Sequence, residues 1–447
     1  MAGLESSLAA AEIAPIAALQ FKLPSVSPYV TSRQEVYFSP AGQTFSPSGN
    51  RTMHINCSGN GFADMSSAIL EFTLTNNSTT NALQPLSANG SCFFSELRFL
   101  LSGIEAERIG GGGCSYGRIV EALQRGLPSA KRVEDAGTGV GIKTADNADV
   151  LSMVKGGILM SNSIPALSAA NPGQNTKKIF MRPLLGLASQ HLLLPLWAMT
   201  GNGATFEWLL QATGADAVVG TATDAVVAGS ADWSITNVRL HMDILHVDEA
   251  LMSSYTSHLL KGSSLVVPYR SYTPISFTHS GSNTAMLQVP RTFSRVNQIW
   301  VLPSKPDAAD LSKKDCNFFP SFGSVDTLES WIQIGSTKFP STTYGPGTAE
   351  HLMRYQKALG YLGSGFHVSS NTVTSYNDDS LLIIFDLEKI PQQAMSGMST
   401  HGGNVTININ GLGTTSGSNV TTASRIDVLI WHDVLCETSD GAVSISY

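Results

Sequence analysis

Two stretches decide the reading of this chain: FSELRFLLSGIEAERIGGGGCSYGRIVEALQRGL at residues 94–127 and SWIQIGSTKFPSTTYGPGTAEHLMRYQKALG at residues 330–360. The first opens with an apolar strand, Leu97–Leu101, that meets a turn at Ser102-Gly103. A short second strand and a glycine-rich loop then lead into a helix. The second opens with Trp331–Ile334, turns at Gly335-Ser336, passes Phe339 and a Gly/Pro loop, and enters a helix of its own. Gly103 and Gly335 stand 335 − 103 = 232 residues apart, and Leu123 and Tyr355 stand 355 − 123 = 232 apart. After each helix come a polar stretch, an apolar strand, an alternating strand and a final long strand. An order of elements that recurs at one offset is the mark of a duplicated unit.

Outward from these stretches, period-two patterning dominates. Thr52–Ile55, Ala68–Leu74, Glu96–Leu101, Thr205–Leu210, Val238–Ile244, Gln298–Leu302, Trp331–Ile334, Leu381–Leu387, Val405–Ile409 and Ile426–Trp431 are short and rich in β-branched or aromatic residues. Val405, Ile407 and Ile409 alternate with Thr406, Asn408 and Asn410, as in a strand with one buried face. Three helices interrupt the strands. Ser115–Leu127 carries Tyr116, Ile119, Val120, Leu123 and Leu127 on one stripe, with Ser115 as cap and Gly126 and Pro128 at its end. Thr348–Leu359 has Leu352, Tyr355 and Leu359 on one side, Thr348 as cap and Gly360 as stop. Asp248–Lys261 falls near mid-chain. Many short strands with polar connections read as sandwiches, not as a parallel α/β sheet.

Composition narrows the function. At 447 residues the chain exceeds what one hydrophobic core supports, so two domains are expected. Hydrophobic residues make up 42%, enough to fill real cores. Charged residues make up 14%, against roughly 25% in an ordinary soluble protein. A surface so poor in charge has few barriers to self-association and reads as one covered by neighbours. The net charge is −7, and Met1–Gln20 contains neither Lys nor Arg. Such a chain lacks the clustered cations that condense nucleic acid. Cys57, Cys92, Cys114, Cys316 and Cys436 are odd in number, widely spread and without a CxxC pair, so they read as reduced thiols, neither a zinc cage nor a disulfide framework. Met1–Gln20 has no basic n-region and carries Glu5 and Glu12, so no signal peptide is expected. The longest apolar runs, such as His191–Met199, fall short of the ~20 residues that span a membrane.

A tandem pair of β-sandwiches, each with a helix in a long loop, resembles the double jelly-roll capsid fold. Phe93–Phe99 running into Ser102-Gly103, Tyr116 and the amphipathic helix is similar to the first-domain loop of major capsid proteins from polintons, polinton-like viruses and virophages. Gly61-Phe62-Ala63-Asp64-Met65-Ser66 resembles the opening of an early strand there, and Asn237-Val238-Arg239-Leu240 the last strand of the first domain. Gln288-Val289-Pro290 with Gln298–Leu302 resembles the entry to an early second-domain strand. No Asn-Pro-Phe-like element follows Trp300; Cys316-Asn317-Phe318-Phe319 stands near that place. The resemblance implies an all-β fold of two tandem jelly rolls: an N-terminal arm over 1–28, a first jelly roll over 29–247, a linking helix over 248–262 and a second jelly roll over 263–447. It implies a viral major capsid protein, assembled inside the host cell, whose homotrimers form pseudo-hexameric tiles of an icosahedral shell. The partners would be further copies of itself, with vertex (penton) and minor capsid proteins. The missing basic arm favours double-stranded DNA as content, without sequence-specific binding.

The motifs that could carry chemistry read otherwise on inspection. Gly113-Cys114-Ser115-Tyr116-Gly117 spells Gly-x-Ser-x-Gly, but glycines 110–112 precede it where a hydrolase elbow needs a strand, and the matching loop Gly345-Pro346-Gly347 has no serine. Ser115 reads as a helix cap. Gly137-Thr138-Gly139-Val140-Gly141 lacks the Lys-Ser/Thr of a phosphate loop and reads as a surface turn. His241 and His246, five apart on a strand and its exit, fall on opposite faces and ligate no common metal. Asp248 and Glu249, near Asp243, fit a helix start. Trp197, Trp208, Trp233, Trp300, Trp331 and Trp431 read as packing residues, the competing reading being a sugar-binding platform on a carbohydrate- or receptor-binding viral protein. No catalytic, metal or cofactor-binding residue is expected.

Overall fold

The period-two stretches pair into four antiparallel sheets in the computed structural model, which describes residues 30–111, 113–125, 137–140, 163–168, 172–201, 203–218, 229–304, 327–359, 376, 381–390, 395–412, 423–439 and 442–447. In the first half, β1 (Val30–Phe38), β10 (Trp233–Val247), β4 (Phe62–Asn76) and β7 (Thr176–Met181) lie side by side in that order. A second sheet runs β3 (Thr52–Cys57), β9 (Ala204–Leu210), β5 (Phe94–Leu101), β6 (Ile104–Gly110). In the second half the order β11 (Leu265–Thr278), β18 (Arg425–Ser439), β13 (Val296–Ser304), β16 (Ile383–Asp386) accompanies β12 (Thr284–Val289), β17 (Val405–Asn410), β14 (Glu329–Ile334), β15 (Thr337–Tyr344). Short strands β2 (Thr44–Phe45), β8 (Leu194–Pro195) and β19 (Ala442–Ser446) pair with β10, β4 and β18.

Leaving aside β2, β8 and β19, which pair off the main path of their sheets, and counting the other eight strands of each half, one sheet runs 1-8-3-6 and the other 2-7-4-5, twice over. That is the strand order of a jelly roll, and the chain contains two. Alternation drives each sandwich shut. β9 buries Ala204, Phe206, Trp208 and Leu210 and turns Thr205, Glu207 and Leu209 outward. Between the sheets of the first sandwich, Phe72 of β4 meets Phe94 of β5 edge to face at 5.6 Å, and Phe93 meets Trp233 at 4.7 Å.

Three helices are fully described: α1 (Tyr116–Arg125), α2 (Glu249–Leu260) and α3 (Thr348–Ala358). Ser115 caps α1 as expected, its Oγ accepting the Arg118 N–H at 3.3 Å. Thr348 does not cap α3: Gly347 occupies that position at φ 115°, and Glu350 instead reaches back to accept the Gly345 N–H at 2.9 Å. The expected end of the first helix (Gly126, Leu127, Pro128) and the stop at Gly360 lie outside the described residues. So do the N-terminal arm over 1–28, Gly112, Gly141 and Cys316-Asn317-Phe318-Phe319.

Structure corrects the repeat by one residue. The hairpins close at Leu101↔Ile104 and Ile334↔Thr337, so their turns are Ser102-Gly103 and Gly335-Ser336. Leu101 therefore corresponds to Ile334, an offset of 334 − 101 = 233; the match at 232 aligned the glycines one place out of register. Gln288-Val289-Pro290 closes β12 and does not open a strand. Gly139 and Val140 do not form a surface turn. Val140 is buried, its N–H donates to Ala88 O at 2.8 Å, and a Cβ on Gly139 would lie 2.2 Å from that oxygen.

Candidate assembly surface

The side chains singled out by sequence are dispersed. Ser115 is buried at its cap. His241 bridges two carboxylates on β1 and β4, Nδ1 to Glu35 at 2.9 Å and Nε2 to Glu71 at 2.6 Å, and Lys178 of β7 meets the other oxygen of Glu71 at 2.5 Å. Burial alone would raise the Glu71 carboxyl, but Lys178 and His241 outweigh it and hold it below the ordinary range. His246 donates from Nδ1 to Asn60 O at 3.0 Å, away from His241. Asp243 is engaged by Arg33 Nε at 2.8 Å, Asp248 sits at the start of α2, and Glu249 lies in its first turn. Trp208, Trp233 and Trp300 are buried, Trp431 stacks on Trp300 at 4.7 Å, and Lys338 lies over the Trp331 ring at 4.8 Å. Phe62 meets Trp197 at 6.1 Å. Trp331 lies half-buried on the face of β14 opposite buried Ser330 and Ile332, and the six rings compose no shared platform.

What sequence reading missed is a built interface between the two sandwiches. It is made where edge strand β11 of the second lies against β6 and the 3-10 turn Leu187–Ser189 of the first, while α1 reaches β18. Tyr269 donates its hydroxyl to Ala106 O at 2.9 Å, and Tyr447 donates to Glu105 O at 3.1 Å. Glu107, 2% exposed, accepts N–H bonds from Gly186 at 2.8 Å and Leu187 at 2.7 Å and the Ser271 hydroxyl at 3.2 Å. Burial pushes its carboxyl up to about 7 against the pull of those three donors. Arg118 of α1 pairs with Asp427 of β18 at 2.8 Å, both fully buried, and Arg425 Nη2 holds the same carboxylate at 3.0 Å. Gly186 fits only as glycine, because a Cβ there would stand 1.6 Å from Arg270 O.

The counterparts of these surfaces lie open. β1, which holds the edge position that β11 holds in its own sheet, is exposed at Val30, Thr31, Arg33, Gln34, Glu35 and Tyr37. β15, the counterpart of β6, is exposed at Thr337, Lys338, Ser341 and Thr342. Beside β15 runs a groove of about 320 Å³ lined by Pro340, Tyr344, Arg354, Lys357, Glu388 and Lys389 among others. It is bounded by β15, α3, β16 and the segment after β16.

No protein-family model matches the sequence, and no characterised protein matches it at significant sequence similarity. Solved structures do match in fold. The VP54 protein of PBCV-1, as fitted into a cryo-EM reconstruction of the virophage Sputnik, superposes with a TM-score of 0.61 at 10% identity, covering 96% of this chain and 99% of that one. A chain of the Sputnik virophage structure gives 0.58 at 11% identity, covering 96% and 92%. The Faustovirus major capsid protein gives 0.59 at 8% identity, covering 94% and 92%. Coverage this complete on both sides engages both sandwiches at once, so the chain is a double jelly-roll protein.

Proposed function

We propose that this chain is a viral major capsid protein, a structural subunit of the virion shell that catalyses no reaction. One observation carries the reading: both sandwiches repeat the same strand order, and the pair together matches proteins whose own descriptions are of virus capsids. The low charge and the two open edge surfaces agree with a chain whose surface is to be covered by copies of itself. In this reading three chains close into a ring of six jelly rolls, a pseudo-hexagonal tile, and tiles cover an icosahedral shell around double-stranded DNA. Cyclic closure satisfies every strong contact and leaves weaker ones at the tile rim. Vertex and minor capsid proteins would meet that rim, and residues 1–28 would serve as an arm on the inner side or toward a neighbour.

Light scattering on the purified full chain, followed by negative-stain imaging, tests this. A mass three times the 47.4 kDa of the chain, with hexagonal tiles or shells in the images, is the expected outcome. A monodisperse monomer at all concentrations and salts would overturn it.

A further inference from the structure

Arg98, Arg108, Arg270 and Arg425 of the strands and Arg118 of α1 each meet a carboxylate. Two other cations do not. Arg295, ahead of β13, and Lys389, after β16, form no ion pair among the described residues, and both line one cavity. The fold holds them there. β17 opens with Val405 opposite Val289, the last residue of β12, so the loops entering β13 and β17 share one end of the second sandwich. Val296 and Met398 each donate an N–H to the other's carbonyl at 2.8 Å, and Thr400 Oγ1 accepts the Phe293 N–H at 2.8 Å. Gly397 permits this closeness, since a Cβ there would stand 2.5 Å from Asn297 Oδ1.

Between the joined loops lies a cavity of about 430 Å³, lined by Ser294, Arg295, Lys389, Ser396 and Ser399 among others. The Ser396 hydroxyl is buried and has no hydrogen-bond partner. A buried donor without an acceptor costs free energy until something meets it. No carboxylate lines the cavity among the described residues. The acids beside it in sequence or space are engaged elsewhere: Glu388 holds Arg270 at 2.6 Å, and Asp433 accepts the Asn297 amide at 2.7 Å. Two unpaired cations would draw any anion. The hydroxyls add directional donors, which suit an anion with several acceptor oxygens pointing different ways. We infer that this cavity binds a phosphate group, with Arg295 and Lys389 supplying the charge and Ser396 a buried donor. The volume admits a phosphate carried on a small molecule as well as the free ion. A nucleic-acid strand would instead draw on cations beyond the cavity, because its affinity grows with every phosphate neutralised. The inference goes beyond the shell-subunit reading and does not depend on it.

Calorimetric titration of the full chain with inorganic phosphate, at fixed ionic strength set by chloride, tests the site. Saturable binding of one phosphate per chain is expected. Arg295→Gln and Lys389→Gln should each weaken it about tenfold, and Ser396→Ala about fivefold, with the circular-dichroism spectrum unchanged. Lys177→Gln serves as control, since Lys177 is an exposed cation at the start of β7 in the other sandwich, and it should leave the affinity within about twofold. Adenosine monophosphate and a short single-stranded oligonucleotide distinguish the sources of phosphate. A nucleotide bound at least as tightly as the free ion, with the same response to the three variants, supports the site and extends it to phosphate monoesters. Heat that never saturates, or an affinity that Lys177→Gln lowers as much as Arg295→Gln does, would overturn it. So would an oligonucleotide that binds far more tightly than phosphate and responds to all the lysine and arginine variants alike, which is the behaviour of a diffuse cationic surface. Each of these negative results leaves the shell-subunit reading standing, since that reading is judged by mass and imaging.

Discussion

Glu107 is a carboxyl held by three donors, yet its burial between two sandwiches outweighs them and lifts its pKa from 4.5 to about 7. The folded chain therefore holds that proton more tightly than the unfolded chain does. Its contribution to stability is complete below about pH 4.5 and is lost as pH rises through 7, a change on the order of 3 kcal/mol for a group this buried. Glu107→Gln removes the titration while keeping the shape. Urea unfolding of both proteins between pH 4.5 and 8 isolates the effect, because every other carboxyl and histidine is shared. The stability difference, wild type minus variant, is expected to shrink or change sign as pH rises across this window. A difference that grows toward pH 8 would mean that the donors win and Glu107 is a stabilised anion.

At the scale of elements, glycines separate two kinds of constraint. Gly186 has an ordinary φ of −62°, so its requirement is purely one of space, the 1.6 Å left between a Cβ and the Arg270 carbonyl of β11. Gly103 is the reverse: its φ is 83° and nothing lies near a Cβ. Gly186→Ala is expected to cost about 3 kcal/mol or more by prising β11 off its seat, and Gly103→Ala about 1 kcal/mol by backbone strain. Thermal unfolding of the two variants checks the order, and equal losses would mean that the seat gives way easily. Elements with one buried face were legible in the sequence: β3, β9 and β17 alternate cleanly, and the hairpins of β5 and β14 announced the duplication. β11 was hidden by Pro268 and Pro274, which count against a central strand and are admissible on the edge it occupies. β1 was hidden because its inner face is only half-buried, with Val36 and Phe38 alone touching the core, too few apolar residues to set a rhythm. The junction left no local trace either. Glu107 finds its partners 80 and 164 residues away, and only the fold brings them together.

For the whole molecule, the question is whether two jelly rolls move as one body. α2 spans the sequence between them as a largely exposed helix, with Leu260 74% exposed, and cannot by itself fix their relation. The junction can, since it joins backbone to side chain at Tyr269, Glu107 and Tyr447 and closes on a buried ion pair. A tile built from such chains needs this rigidity, because any swing between the sandwiches would change the angle at alternate corners and frustrate ring closure. Wild-type chain held in monomeric form, at low concentration, is accordingly expected to unfold in one calorimetric transition. Arg118→Met deletes one partner of the pair that bridges α1 to β18. Its cost is about 3 kcal/mol, near the low end for a broken buried pair because Arg425 still holds Asp427. That loss falls on the junction and spares both cores, so the variant is expected to unfold in two transitions, one for each sandwich. Two transitions already in the wild type would mean that the junction is weak in the free chain and that the proposed tile would need contacts with neighbouring copies to hold the pair rigid.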